Sequence, residues 1–276
     1  MKLNHLGKIA VGQDGAVWGR WLLRLDHTGC CHVYDLDSLE EVCVFSLGSP
    51  EICVPHSNTA VFGSEYYAAD DEFPLLYCNV YNNYAREADR REGVCCVYRV
   101  TRRGKEFAAE LVQRITVGFA QDRTLWRSPE GDDSRPFGNF VIDREAGIYY
   151  GYTMLDGPQV TRYFAFRLPL LAEGATVTLT PADILYSFDC PYHRYIQGGC
   201  VHNGLIYSVE GFSVGGPNPP ALRIIDPVGR KQLLHVAFAS LGSTVEPEFI
   251  DFRGDTCLYG CKDDLYHLDF EGECYV

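Results

Sequence analysis

The chain has no surplus of basic charge: 24 Lys and Arg stand against 37 Asp and Glu in 276 residues, a formal net charge of −13. Phosphate backbones are held by basic surfaces, so no nucleic-acid partner is expected. No run of eighteen apolar residues occurs, so neither a transmembrane helix nor a membrane partner is expected. The opening MKLNHLGKIAVGQDG breaks its apolar stretches with Asn4, Gly7, Gly12 and Asp14 and lacks the apolar core of a secretory signal, which points to a cytoplasmic protein. The glycine-rich phosphate loops GxGxxG and GxxxxGK[ST] are missing, as are HExxH and any CxxC pair. Cys257 and Cys261 are four apart with no second pair at ligand spacing, so no metal and no cofactor is expected.

Cysteine, by contrast, is abundant at twelve residues. In a reducing compartment it acts as a small buried hydrophobe, and that reading suits a chain without a signal. The neighbours Cys30–Cys31 and Cys95–Cys96 alternate sides of a strand and so cannot share one face. The basic clusters around Arg86–Arg91 and Arg99–Lys105 are interleaved with acids and read as solvated loop faces.

Eighteen Tyr, fifteen Phe and 27 Gly describe aromatic strands punctuated by turns. One unit recurs: VYDLD (33–37), VYRVT (97–101), AFRLP (165–169), LRIID (222–226) and LYHLD (265–269). Two strand-like runs precede each copy, as DGAVWG and WLLRLD do the first and SNTAVFG and PLLYCNVY the second. A fourth run follows most copies: EVCVFSL (41–47), FAAELVQRI (107–115), ATVTLT (175–180) and KQLLHVAF (231–238). FAAELVQRI also fits a helix, with Phe107, Leu111 and Ile115 four apart, but the repeat favours a strand. Units of four strands at this spacing specify an all-β fold, a five-bladed β-propeller of four-stranded blades. The blades are expected at about 12–48, 55–118, 136–188, 195–241 and 246–276 within a single domain. The last unit lacks an outer strand, and LGKIAV (6–11) is expected to join it and close the ring.

The pattern, including HSNTAVFGSEYY and DEFPLLY, resembles the five-bladed β-propeller superfamily, which contains arabinanase-type glycoside hydrolases, tachylectin-like lectins and many uncharacterised bacterial proteins. The resemblance implies a fold, and a carbohydrate ligand or substrate only by analogy.

In such a fold the innermost strands line an axis, and polar residues at their starts converge on one mouth. Asp14, Asn58, Asn139, Gly199 and Glu248 occupy similar positions, with His56 and Gln197 just upstream. Long loops add Trp126 and Arg135 from 119–139, and His193, Arg194 and Tyr195 from 188–199. Rings beside paired donors and acceptors suit sugars, so His56, Asn58, Trp126, Arg135, Asn139, His193, Arg194, Tyr195 and Gln197 are the candidate binding residues. Ordinary roles compete: a histidine at a strand start is often a loop cap, and His202, before Asn203–Gly204, reads as part of a hairpin. Asp14, Glu246 and Glu248 are the catalytic candidates, a carboxyl pair being the equipment of a glycosidase. Glu246 and Glu248 are expected to send only one carboxyl into the channel. Three functions follow: binding a small polar ligand such as a saccharide, hydrolase or lyase action on one, or a scaffold for a protein partner.

Overall fold

The computed structural model describes residues 1–48, 56–80, 93–117, 135–155, 159–192, 195–212, 215–216 and 218–272, with side chains for all of these except 135–139. It is a five-bladed β-propeller of antiparallel, four-stranded blades. After β1 (Lys2–Lys8), blade 1 comprises β2 (Gly15–Trp18), β3 (Trp21–Leu25), β4 (Cys30–Asp35) and β5 (Glu40–Ser46). Blade 2 comprises β6 (Ala60–Phe62), β7 (Leu76–Val80), β8 (Val94–Arg103) and β9 (Glu106–Val117). Blade 3 is built from β10 (Arg135–Asp143), β11 (Ile148–Leu155), β12 (Val160–Arg167) and, after β13 (Thr176–Leu179), β14 (Ile184–Pro191). Blade 4 follows as β15 (Ile196–His202), β16 (Leu205–Glu210), β17 (Ala221–Asp226) and β18 (Lys231–Ala237). Blade 5 is β19 (Pro247–Arg253), β20 (Thr256–Cys261) and β21 (Asp264–Asp269), completed by β1.

Three details differ from, or refine, the sequence reading. The closing strand is Lys2–Lys8 rather than 6–11: Leu3 stands opposite Leu268 and Lys8 opposite Asp264. ATVTLT is not the outer strand of blade 3. Its core, β13, crosses to blade 2 and pairs in parallel with β9, Val177 against Ile115, while ILYSFDCP (184–191) takes the outer place. Gln113 explains the crossing, because its Nε2 donates to the carbonyls of Leu170 and Gly174 at 2.8 Å each and ties the connection to blade 2. FAAELVQRI is a strand: Phe107 pairs with Arg102 and Ile115 with Cys95.

Blades pack face to face because each strand alternates its side chains between two neighbours. Leu76 and Cys78 face a core shared with blade 1, holding Leu23 and Val33, whereas Tyr77 faces one shared with blade 3, holding Phe140 and Tyr149. Cys95 and Cys96 divide between the same two cores. Three further inter-blade cores complete the ring, centred on Tyr163 and Ile225, on Tyr207 and Ile250, and on Val17 and Phe249. Each fully buried aromatic or branched side chain contributes about 1.5–3 kcal/mol. Strand β2 touches β6, β6 touches β10, β10 touches β15, β15 touches β19 and β19 returns to β2. The inner strands therefore surround one axis, and their starting ends share one mouth.

Candidate functional site

Every inner strand is kinked where it enters that mouth. In blade 4, Ile196 pairs with Glu210 and Gly198 with Val209, leaving Gln197 as an extra residue. In blade 5, Pro247 pairs with Cys261 and Phe249 with Gly260, leaving Glu248. Blade 2 does the same at Asn58: Ser57 N–H donates to Asn79 O, Asn79 N–H donates to Thr59 O, and Ser57 takes φ 58° to permit it. In blade 1, Gln13 N–H donates to Leu25 O at 2.7 Å while Leu25 N–H donates to Asp14 O at 3.1 Å, so two residues face one. The register of β10 also shifts between Pro136 and Phe140. A bulge turns its extra side chain out of the pleat. Repeated around the ring, it delivers Gln13, Asn58, Gln197 and Glu248.

These side chains meet across the axis. Asn58 Nδ2 donates to Gln13 Oε1 at 3.3 Å and to Gln197 Oε1 at 3.2 Å. Gln197 Nε2 donates in turn to Glu246 Oε1. Glu246 gives the chain its direction: Gln197 turns its nitrogen to that carboxyl and its oxygen to Asn58, which leaves Asn58 to donate. Two buried oxygens at this mouth, Asn58 Oδ1 and Glu248 Oε2, have no hydrogen-bond partner among the described residues. Both Glu246 and Glu248 lie here, contrary to the expectation that only one would. They are two apart in sequence, and the bulge at Glu248 leaves them close enough to interact. Burial, then the charge of Glu246, pushes Glu248 up from 4.5 to about 8, against an opposing pull from Arg24. Burial also raises Glu246.

Asp14 lies beneath the row and is completely buried. Its Oδ2 accepts the N–H of Ala60 at 3.1 Å and of Gly199 at 3.4 Å, which pins blades 1, 2 and 4 together at the axis. Desolvation raises its pKa well above the usual carboxylate value, although the N–H groups of Gly15 and Ala60 and the charge of Arg24 oppose the rise. Gly198 lets the carboxyl in: a Cβ there would sit 3.0 Å from Asp14 Oδ1 and 2.9 Å from Glu248 O. Arg24 is also completely buried and donates to Gly12 O at 2.9 Å and to Gln13 O, holding the kink that presents Gln13. Burial pulls it down to about 10.

Around the rim, His56 is half-buried and lies 6.2 Å from the ring of His27. Burial, reinforced by His27, lowers it to about 4, so it is neutral at pH 7. Tyr195 is 40% exposed, adopts φ 58° and meets the 51%-exposed Phe212 edge-on at 4.9 Å. Arg135 and Asn139 lie on β10, with side chains outside the described set, and Trp126, His193 and Arg194 lie outside the described residues. His202 sits at the far end of β15 and stacks on Phe252 at 3.9 Å, away from the mouth.

Motif reading passes over Gln13 and Arg24. The signal for Arg24 was present: a charged residue inside WLLRL needs a buried partner, and two backbone carbonyls supply it. Residues 211–215 read GFSVG, the letters of a nucleophile elbow, but they join two antiparallel strands rather than a strand to a helix, and Ser213 lies outside the described residues. Among the described residues there is no cluster of three His, Cys, Asp or Glu able to hold a metal, and no helix long and apolar enough to cross a membrane.

No protein-family profile matches the chain, and no curated protein matches it in sequence. Among solved structures it is similar to a glutaminyl cyclase of Myxococcus xanthus, at 13% identity over 98% of this chain and 94% of that one, with a TM-score of 0.51. It also aligns with Raptor of Chaetomium thermophilum, at 11% identity over 98% of this chain but only 21% of the other, with a TM-score of 0.42. At such identities the likeness is one of fold.

Proposed function

We propose that the blade-start mouth binds a small, hydroxyl-bearing polar ligand, a saccharide by class. The observation that carries this reading is the polar row itself. Four bulges converge on Gln13, Asn58, Gln197 and Glu248, and two buried oxygens there, Asn58 Oδ1 and Glu248 Oε2, remain unpaired. Each such atom costs about 1–3 kcal/mol while it stays unmatched, a cost that a bound ligand would relieve. Ligand hydroxyls, which both donate and accept, complement an amide oxygen beside a carboxyl. The exposed pair Tyr195 and Phe212 offers a ring face to the apolar side of a sugar. Isothermal titration with mono- and disaccharides tests this reading. At least one sugar should bind, and Asn58→Ala should weaken it about tenfold or more; a panel without binding overturns it.

One observation favours a second reading. Glu246 and Glu248 are adjacent carboxyls, both raised by burial, which is how proton donors are prepared for work near neutral pH. A hydrolase or lyase acting on the same ligand would use Glu248 as the acid. Glutaminyl cyclisation, the activity named for the similar Myxococcus xanthus protein, also needs a proton for its departing ammonia. Turnover of a bound sugar, or of an N-terminal glutaminyl peptide, lost in Glu248→Gln with binding retained, supports catalysis; binding without turnover leaves the first reading. All ten described cysteines are free thiols, which supports a cytoplasmic location.

A further inference from the structure

Two buried carboxyls elsewhere in this protein form ion pairs. Glu210 receives Arg223 Nε at 2.8 Å and lies 3.2 Å from His235 Nε2, while Asp71 receives Arg99 at 2.6 Å. Glu246 and Glu248 differ. Neither forms an ion pair with a described residue: Glu246 accepts only from the neutral amide of Gln197, and Glu248 Oε2 accepts nothing. Arg24 lies beneath them and its charge pulls on Glu248, but its terminal nitrogens donate to the carbonyls of Gly12 and Gln13 and it forms no ion pair with either carboxyl. The other titratable groups nearby are Asp14, an acid, and His56, a neutral imidazole. Asn58, 5% exposed, adds an unpaired amide oxygen to the same row. The mouth therefore presents acceptors, and none of its described side chains forms an ion pair with Glu246 or Glu248.

We propose that the ligand taken at this mouth carries a protonated amine beside its hydroxyls, seated against Glu246 and Glu248 with an N–H directed at Asn58 Oδ1. The proposal rests on the reading of the mouth as a ligand site and narrows its chemical class. An ammonium group carries three donors and a full charge, matching two carboxyls and an amide oxygen. A neutral hydroxyl in the same place brings no positive charge to offset the two carboxyls. Tyr195 and Phe212 on the rim favour the same ligand, since a cation is attracted to aromatic faces. Seating the cation also drives the carboxyl to ionise: the Glu248 proton leaves to solvent, the ammonium keeps its own, and the resulting pair is neutral.

The test is calorimetry on the full chain at pH 7 with three probe sets: glucosamine, galactosamine and mannosamine, their parent hexoses, and their N-acetyl derivatives. Each titration is run in phosphate and in Tris, so that heat from buffer protonation reports proton release. An amino sugar should bind about tenfold or more tighter than its hexose and its N-acetyl form. It should release about one proton, because Glu248 is largely protonated in the free protein at that pH. Glu248→Gln and Glu246→Gln, each checked for an intact unfolding transition, should lose the preference, and Glu248→Gln the proton release. Equal binding of all three sets without proton exchange overturns the amine and leaves the saccharide site standing. Binding by none of the probes overturns the saccharide site itself, and the amine with it.

Discussion

Replacing Glu248 with Gln should make the protein more stable at pH 8 while changing little at pH 4.5. The carboxyl is pushed up from 4.5 to about 8, mainly by burial. A folded-state value above the unfolded one means that the native protein holds its proton longer. Stability is therefore fully present below pH 4.5 and is lost as pH rises toward 8. A rise of about 3.5 at about 1.4 kcal/mol each sets an upper figure near 5 kcal/mol. Glu248 is only partly sealed from solvent, which reduces the expected loss to roughly 3 kcal/mol. Glutamine keeps the shape and carries no charge, so the variant escapes the loss. For a chain of this size that corresponds to about 6 °C in the melting temperature. The assay is thermal unfolding of both proteins from pH 4.5 to 8.5. Curves that separate progressively above pH 5 are expected; parallel curves refute the claim that burial holds the proton on Glu248.

Three further outcomes follow from the same geometry. Asp14→Ala strands the N–H groups of Ala60 and Gly199 at the axis and should cost roughly 3 kcal/mol in chemical denaturation. Gly198→Ala places a methyl 2.9 Å from Glu248 O and 3.0 Å from Asp14 Oδ1, so it should destabilise by about 1–3 kcal/mol in the same assay and weaken ligand binding too. Tyr195→Ala removes an exposed ring and should lower saccharide affinity severalfold in calorimetry, with the unfolding midpoint nearly unchanged.

The architecture was legible because each blade repeats one economical device, an alternating strand whose two faces meet two neighbours. Tyr77 and Cys78 can be assigned to opposite cores from alternation alone. Less legible were features that depend on a distant partner. Nothing within ATVTLT says that it leaves its own blade; Gln113, some sixty residues earlier, holds the connection to blade 2. Part of the site was legible for the same reason as the fold: Asn58 and Glu248 align at the strand starts, and Gln197, aligned just upstream, reaches the same row through its bulge. Gln13 escaped because aligning Ala16-Val17-Trp18 with Ala60-Val61-Phe62 equates Asp14 with Asn58. The bulges shift the register by one, sending Asp14 into the axis and Gln13 into the polar row. For Arg24 the sequence signalled burial, through a charge inside WLLRL, but not the partners, which are backbone carbonyls and leave no trace in side-chain composition.

The most direct test of the account is diffraction from crystals of the full chain soaked with the best-binding sugar of the calorimetric panel. The account predicts the sugar at the blade-start mouth, with polar atoms within hydrogen-bond reach of Asn58 Oδ1 and the Glu248 carboxyl and a ring face against Tyr195. A sugar seated instead at the opposite end of the channel, over Phe62, Arg144 and Asp251, would contradict it.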